Sequence, residues 1–156
     1  MKIIKEKIII SILIPLVVGV VSALLTRNAM MTFQMVNKPP LSPPGWLFPV
    51  VWVILYVLMG IASYIVCQQG KEKPEVIRAL ETYGVQLVFN FFWSIFFFRL
   101  KWYGFSFVWL VVLWILILSM VNQFRKINVF AAVLIIPYLI WVSFAGYLNL
   151  GIALLN

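Results

Sequence analysis

Five apolar runs, each long enough to cross a hydrocarbon layer as a helix, follow one another with little between them, and that repetition decides what this chain can fold into. About 20 residues make one crossing, so a chain of 156 residues holds about five crossings and no second domain. With 65% of its residues hydrophobic and 10% charged, it cannot dress a water-exposed surface. The sequence therefore predicts an all-α membrane protein, a single five-transmembrane-helix bundle over residues 1–156, with spans at about 8–25, 46–66, 76–98, 103–121 and 129–152. The first run, Ile8 to Leu25, follows a basic start like that of a signal peptide. It is longer than the usual apolar core of one, and Val21-Ser22-Ala23 is a poor cleavage site, so it is expected to remain as a span.

A formal charge of +8 would also suit a nucleic-acid binder, but the basic residues sit in short clusters between apolar runs and form no stripe along a polar helix. They act as topology signals, and no nucleic-acid partner is expected. One side carries Lys2, Lys5, Lys7, Lys71, Lys73, Arg78, Arg125 and Lys126; the other carries Arg27, Lys38, Arg99 and Lys101. The richer side faces the cytoplasm by the positive-inside rule, which puts the N-terminus inside and the C-terminus outside.

The chain has no histidine, and Cys67 is its only cysteine. That excludes His-based catalysis and leaves no metal-ligand spacing, so no metal and no cofactor are expected. Charges at mid-depth mark ion pathways in membrane proteins. The only acids, Glu6, Glu72, Glu75 and Glu81, lie at or near span ends, which argues against an ion-coupled transporter. Of the connections, only Thr26 to Ser42 is long. It runs into Lys38-Pro39-Pro40-Leu41-Ser42-Pro43-Pro44-Gly45, too stiff for a tether and expected to lie across a face of the bundle. The three short connections predict consecutive helices packed antiparallel.

Within the spans, polar and aromatic residues recur at helical spacing. Gln86, Asn90 and Ser94 share a face of the third span, with Trp93 and Phe97 on its shoulder. Trp52 and Tyr56 stand one turn apart in the second, with Gly60 a turn further on. In the fifth, Trp141, Ala145 and Asn149 repeat the spacing, flanked by Tyr138 and Leu148. Singly, each such residue fits helix–helix packing and interhelical hydrogen bonding. Together, three aromatic and amide stripes favour a cavity for a large, flat, apolar ligand. Gly19, Ser22 and Ala23 of the first span lack such companions and are assigned to packing. Trp102 and Tyr103 fit an interfacial belt, while Trp109 and Trp114 are assigned to lipid contact or packing.

Several fragments, weak singly, are specific in their order: Lys38-Pro39, Pro43-Pro44-Gly45-Trp46 leading to Pro49-Val50-Val51-Trp52, Leu55-Tyr56, Met59-Gly60, Gln86-Leu87, Asn90 to Trp93 with Phe97-Phe98, Pro137-Tyr138-Leu139, Trp141, Phe144-Ala145 and Leu148-Asn149. Through them nearly the whole chain resembles the tryptophan-rich sensory protein family, also called the translocator protein family, in its bacterial form. The resemblance implies a five-helix bundle, often a homodimer, in a bacterial cell membrane. It implies binding of porphyrins such as protoporphyrin IX and, in some members, of cholesterol and benzodiazepine-type drugs. The matched pocket positions are Trp52, Asn90, Trp93, Trp141, Ala145 and Leu148. Some bacterial members are reported to degrade bound protoporphyrin in light, which would make Trp52 and Trp141 the catalytic candidates.

Two departures accompany it. Thr32-Phe33 stands where the family often has Trp-Tyr in the first loop, and Ala153 where it often has Trp. No basic residue follows Tyr147, so the proposed sterol-contact motif is absent and sterol binding is not expected. The functional expectation is a membrane receptor or binding protein for porphyrins and related tetrapyrroles with a sensory or regulatory role. A light-dependent porphyrin oxidase and a passive tetrapyrrole or lipid carrier are the alternatives.

Overall fold

A computed structural model describes residues 2–156, apart from the side chains of Met30 and Thr32, so the Thr32 side of the loop departure lies outside the described residues. Among the described residues six helices follow in order: α1 Lys2–Thr26, α2 Ala29–Met35, α3 Leu47–Gln68, α4 Pro74–Ser94, α5 Tyr103–Ile127 and α6 Val129–Leu155. A π-helical turn, Ile95–Arg99, continues α4. No strand occurs among the described residues.

Four of the helices, α1, α3, α5 and α6, are long and apolar enough to cross a membrane by length and composition. The third expected span is not among them. Although α4 has 21 residues, it carries Glu75, Arg78 and Glu81 near its start and buries the amides of Gln86 and Asn90, which lower its hydropathy. The spans also extend beyond the expected limits. The first helix begins at Lys2, α5 continues to Ile127 and α6 to Leu155, because backbone hydrogen bonding carries a helix past the end of its apolar stretch. The connection after α1 is not all extended chain, since α2 occupies Ala29–Met35.

The connections follow local chemistry. Pro74 at the first position of α4 fixes φ where no intrahelical N–H bond is lost. Between α5 and α6 stands Asn128 alone, whose side-chain oxygen accepts the Ala131 N–H at 3.1 Å as an N-cap. At the end of α4 the π turn closes through Leu100 N–H to the Ile95 carbonyl, and Lys101 at φ 57° turns the chain back into α5.

Packing order departs from chain order. α3 lies chiefly against α1 and α6, and α4 chiefly against α5, so the ring runs α1, α3, α6, α5, α4. The consecutive pair α3 and α4 touches much less than the short connection predicts. What joins these two helices instead is a set of buried polar contacts across the middle of the bundle. The Pro-rich loop does lie on a face, held to the end of α6: Tyr147 donates its hydroxyl to the Pro40 carbonyl at 2.7 Å, and Asn156 exchanges two hydrogen bonds with the Asn37 backbone.

The close crossing of α1 and α3 depends on Gly60. A Cβ there would lie 2.5 Å from the Cα of Ile12 and 2.7 Å from the Ser11 carbonyl oxygen, backbone atoms that cannot swing away. Gly60→Ala is expected to destabilise the protein by about 1–3 kcal/mol by overpacking. Gly84→Ala, whose Cβ meets nothing within 4 Å, should be neutral or stabilise by up to about 1 kcal/mol through helix propensity. Thermal unfolding of the two variants in one detergent checks this ordering.

Candidate ligand cavity

Between α1, α3, the end of α4 and α6 lies a cavity of about 370 Å³, within the range of small-molecule sites. Its α1 wall runs from Leu16 to Thr26, roughly 15 Å of helix at 1.5 Å per residue, with Arg27 just beyond. From α3 come Phe48, Pro49, Trp52, Val53 and Tyr56, from α4 and the π turn Trp93, Ser94 and Phe98, and from α6 Trp141 and Ala145. Among the described residues Arg27 is the only charged one on the wall.

The residues expected from the sequence divide into two groups. Trp52, Tyr56, Trp93, Ser94, Trp141 and Ala145 face the cavity together. Gln86, Asn90, Phe97, Tyr138 and Leu148 are buried behind the wall. The two amides among them are already bonded. Tyr56 donates its hydroxyl to Asn90 Oδ1 at 2.9 Å, Asn90 Nδ2 donates to the Tyr138 hydroxyl at 2.7 Å, and Tyr138 donates in turn to Gln86 Oε1 at 2.8 Å. Gln86 Nε2 ends the chain at the sulfur of Met59, 3.8 Å away. Asn90 thus sets the Tyr56 ring that forms the deep end of the cavity, and Trp52 stacks on that ring with centroids 5.6 Å apart.

A second polar cluster fixes the opposite wall. Asn149 accepts the Trp93 indole N–H at 3.0 Å and donates to the Tyr103 carbonyl at 2.8 Å, which holds the indole plane. Phe97 stacks on Trp93 at 5.2 Å. Phe33 of α2 is buried against Phe48, Phe97 and Phe98, an aromatic plug that backs the wall residues Phe48 and Phe98. Trp141 packs edge-on to Phe48, and its buried indole nitrogen has no hydrogen-bond partner.

The sequence reading missed most of the α1 wall. Gly19, Ser22 and Ala23, assigned to packing, line the cavity with Thr26 and Arg27. The signal was their small size at helical spacing, which leaves a shallow groove. Tyr56 fills part of it, since a side chain at Gly19 would collide with its ring. Trp109, by contrast, lies off the wall, stacked on Phe89 at 4.3 Å and donating to the Phe89 carbonyl.

Fold and cavity together define a polytopic helical membrane protein that encloses an aromatic-walled site. Residues 11–155 match the model of the TspO/MBR family. The chain is 42% identical over 119 residues to the tryptophan-rich protein TspO of Chlorobaculum tepidum, covering 76% of this chain and 75% of that one. It is 38% identical over 152 residues to the tryptophan-rich protein TspO of Archaeoglobus fulgidus, covering 96% and 97%. The translocator protein of Ovis aries is 33% identical over 118 residues, covering 75% and 70%. The chain belongs to the TspO/MBR family.

Removal of the Tyr138 hydroxyl leaves Asn90 and Gln86 each short of a partner in a dry interior. Tyr138→Phe is therefore expected to destabilise the protein by about 1–3 kcal/mol. Trp141→Phe removes an N–H that has no partner and should cost less, a comparison that denaturation of both variants in the same detergent decides.

Proposed function

We propose that this protein is a membrane receptor for porphyrins or closely related tetrapyrroles, held in the cavity between α1, α3, α4 and α6, with a sensory or regulatory output. All five long helices cross the bilayer in this reading, α4 with the amides of Gln86 and Asn90 turned inward and its charges confined to its first turns, and the N-terminus is cytoplasmic. The observation that carries it is the makeup of the cavity: three indoles and a tyrosine around an apolar space with no charge at depth, in a chain of the TspO/MBR family. A flat conjugated ligand gains contact area against such walls. The deep hydroxyl and amides already bond one another, so they favour no small polar substrate.

Light-dependent degradation of the bound pigment is the second reading. It is favoured by the placing of both Trp52 and Trp141 on the wall, next to anything the cavity holds. The chemistry would belong to the excited pigment, with the indoles as its nearest oxidisable neighbours. Receptor binding alone is preferred, since a pigment also bleaches unaided.

Absorbance titration of the purified protein with protoporphyrin IX should show saturable binding. Trp141→Ala should weaken it by about 1–3 kcal/mol, while Trp102→Ala, outside the cavity, should change it little. Equal losses would make Trp141 ordinary packing. Under illumination at matched occupancy, wild type, Trp52→Phe and Trp141→Phe should give the same products. A product made only by wild type would establish the oxidase reading.

A further inference from the structure

The cavity has a floor and a side opening. Its α4 and α6 residues are buried, as Trp93 and Ala145 are, or half-buried, as Ser94 and Trp141 are, whereas Val20 on α1 and Val53 on α3 line it while remaining 57% and 52% exposed. The opening therefore lies between α1 and α3, on the outside of the bundle, where a membrane protein meets lipid tails. Arg27, the residue that follows the last turn of α1, stands at the loop end of this opening and lines the cavity with Ala23 and Thr26.

Among the described residues no acidic side chain stands at that end of the bundle. The four acidic side chains of the chain, Glu6, Glu72, Glu75 and Glu81, belong to the opposite end of the bundle, and Glu6 lies roughly 31 Å away along α1. Among the described residues Arg27 makes no ion pair. The neighbouring cation on the loop, Lys38, is occupied differently, with its ammonium 4.7 Å above the Phe33 ring. An arginine stays charged at any physiological pH and presents a fork of N–H donors that fits a carboxylate or phosphate.

We infer that Arg27 is an anion subsite at the mouth of the cavity. It selects amphiphiles that carry an acidic group at one edge of an apolar body, and it fixes them with that group toward the Pro-rich loop and the apolar part against Tyr56 and Trp52. The inference rests on the porphyrin reading above and deepens it: the preferred tetrapyrroles are those with free carboxylates. Orientation then comes from the rim of the cavity. The buried amides stay committed to Tyr56 and Tyr138.

The test compares protoporphyrin IX with its dimethyl ester, which keeps the macrocycle and removes both charges. Wild type, Arg27→Gln and Arg27→Lys are titrated in nanodiscs of neutral phosphatidylcholine. Wild type should bind the free acid about tenfold more tightly than Arg27→Gln does, with Arg27→Lys between them, and all three should bind the ester alike. Loss of affinity for acid and ester in equal measure would overturn the subsite while leaving the porphyrin reading intact. So would wild type binding both ligands equally, an outcome that needs no variant to fold. If neither porphyrin binds the wild type, the ligand assignment itself falls, and the subsite with it. Repeating the series with phosphatidylglycerol present identifies the source of the anion. Retention of the acid-specific Arg27 effect supports the ligand's carboxylate; its disappearance would give Arg27 to a lipid phosphate and overturn the proposal.

Discussion

The arrangement of the bundle depends on one chain of hydrogen bonds in a place with no water to replace them. Tyr56, Asn90, Tyr138 and Gln86 join α3, α4 and α6 through three contacts of 2.7–2.9 Å, all between buried side chains. A buried amide or hydroxyl without a partner is costly, so these helices are bound to one register in which every link closes. Apolar packing alone would not select it. In a membrane, contact between two helices replaces contact with lipid tails that are equally apolar, and specificity falls to polar bonds and close small-residue crossings. Gly60 provides one such crossing, setting α1 on α3.

The cavity follows from the same constraint. The polar chain draws α3, α4 and α6 together at mid-depth, and the indoles of Trp52, Trp93 and Trp141 lie nearer the loop end, where α1 meets the other helices with small side chains at Gly19, Ser22 and Ala23. Large aromatic walls on one side and a shallow groove on the other cannot fill the space between them. The void is walled toward the loop end by Phe48 and Phe98, backed by Phe33, and bounded at depth by Tyr56, whose ring is positioned by Asn90. The residues that shape the site and those that face it are thus largely different, linked through tyrosine hydroxyls and the Trp93 indole N–H.

This separation explains how far the candidate site was legible. Helical spacing placed Gln86, Asn90 and Ser94 on one face, and the structure keeps them on one side of α4, but periodicity gives direction without depth. It could not tell that Ser94 reaches the cavity while Gln86 and Asn90 stop behind Tyr56 and Tyr138. It also undervalued α1, because small residues advertise close approach equally well whether a helix or a void lies opposite. The weak hydropathy of α4 has in part the same origin. The buried amides Gln86 and Asn90, which the bundle needs inside, lower it together with the exposed charges Glu75, Arg78 and Glu81 near the start of the helix.

By itself the sequence determined an all-helical chain, the apolar runs suited to a membrane, the long connection ending in prolines, and the tryptophan and amide stripes that mark the family. These are local properties: 20 apolar residues dictate a helix in lipid whatever surrounds them, and prolines fix φ without help. Only the tertiary structure decided that α3 lies between α1 and α6, that α2 supplies an aromatic plug, that the amides brace tyrosines from behind, and that α1 completes the cavity with Arg27 on its rim. Those facts depend on which helices meet and at what depth. Such choices are settled by the closing of hydrogen bonds between residues 34 to 52 positions apart, a condition that spacing along one helix does not encode.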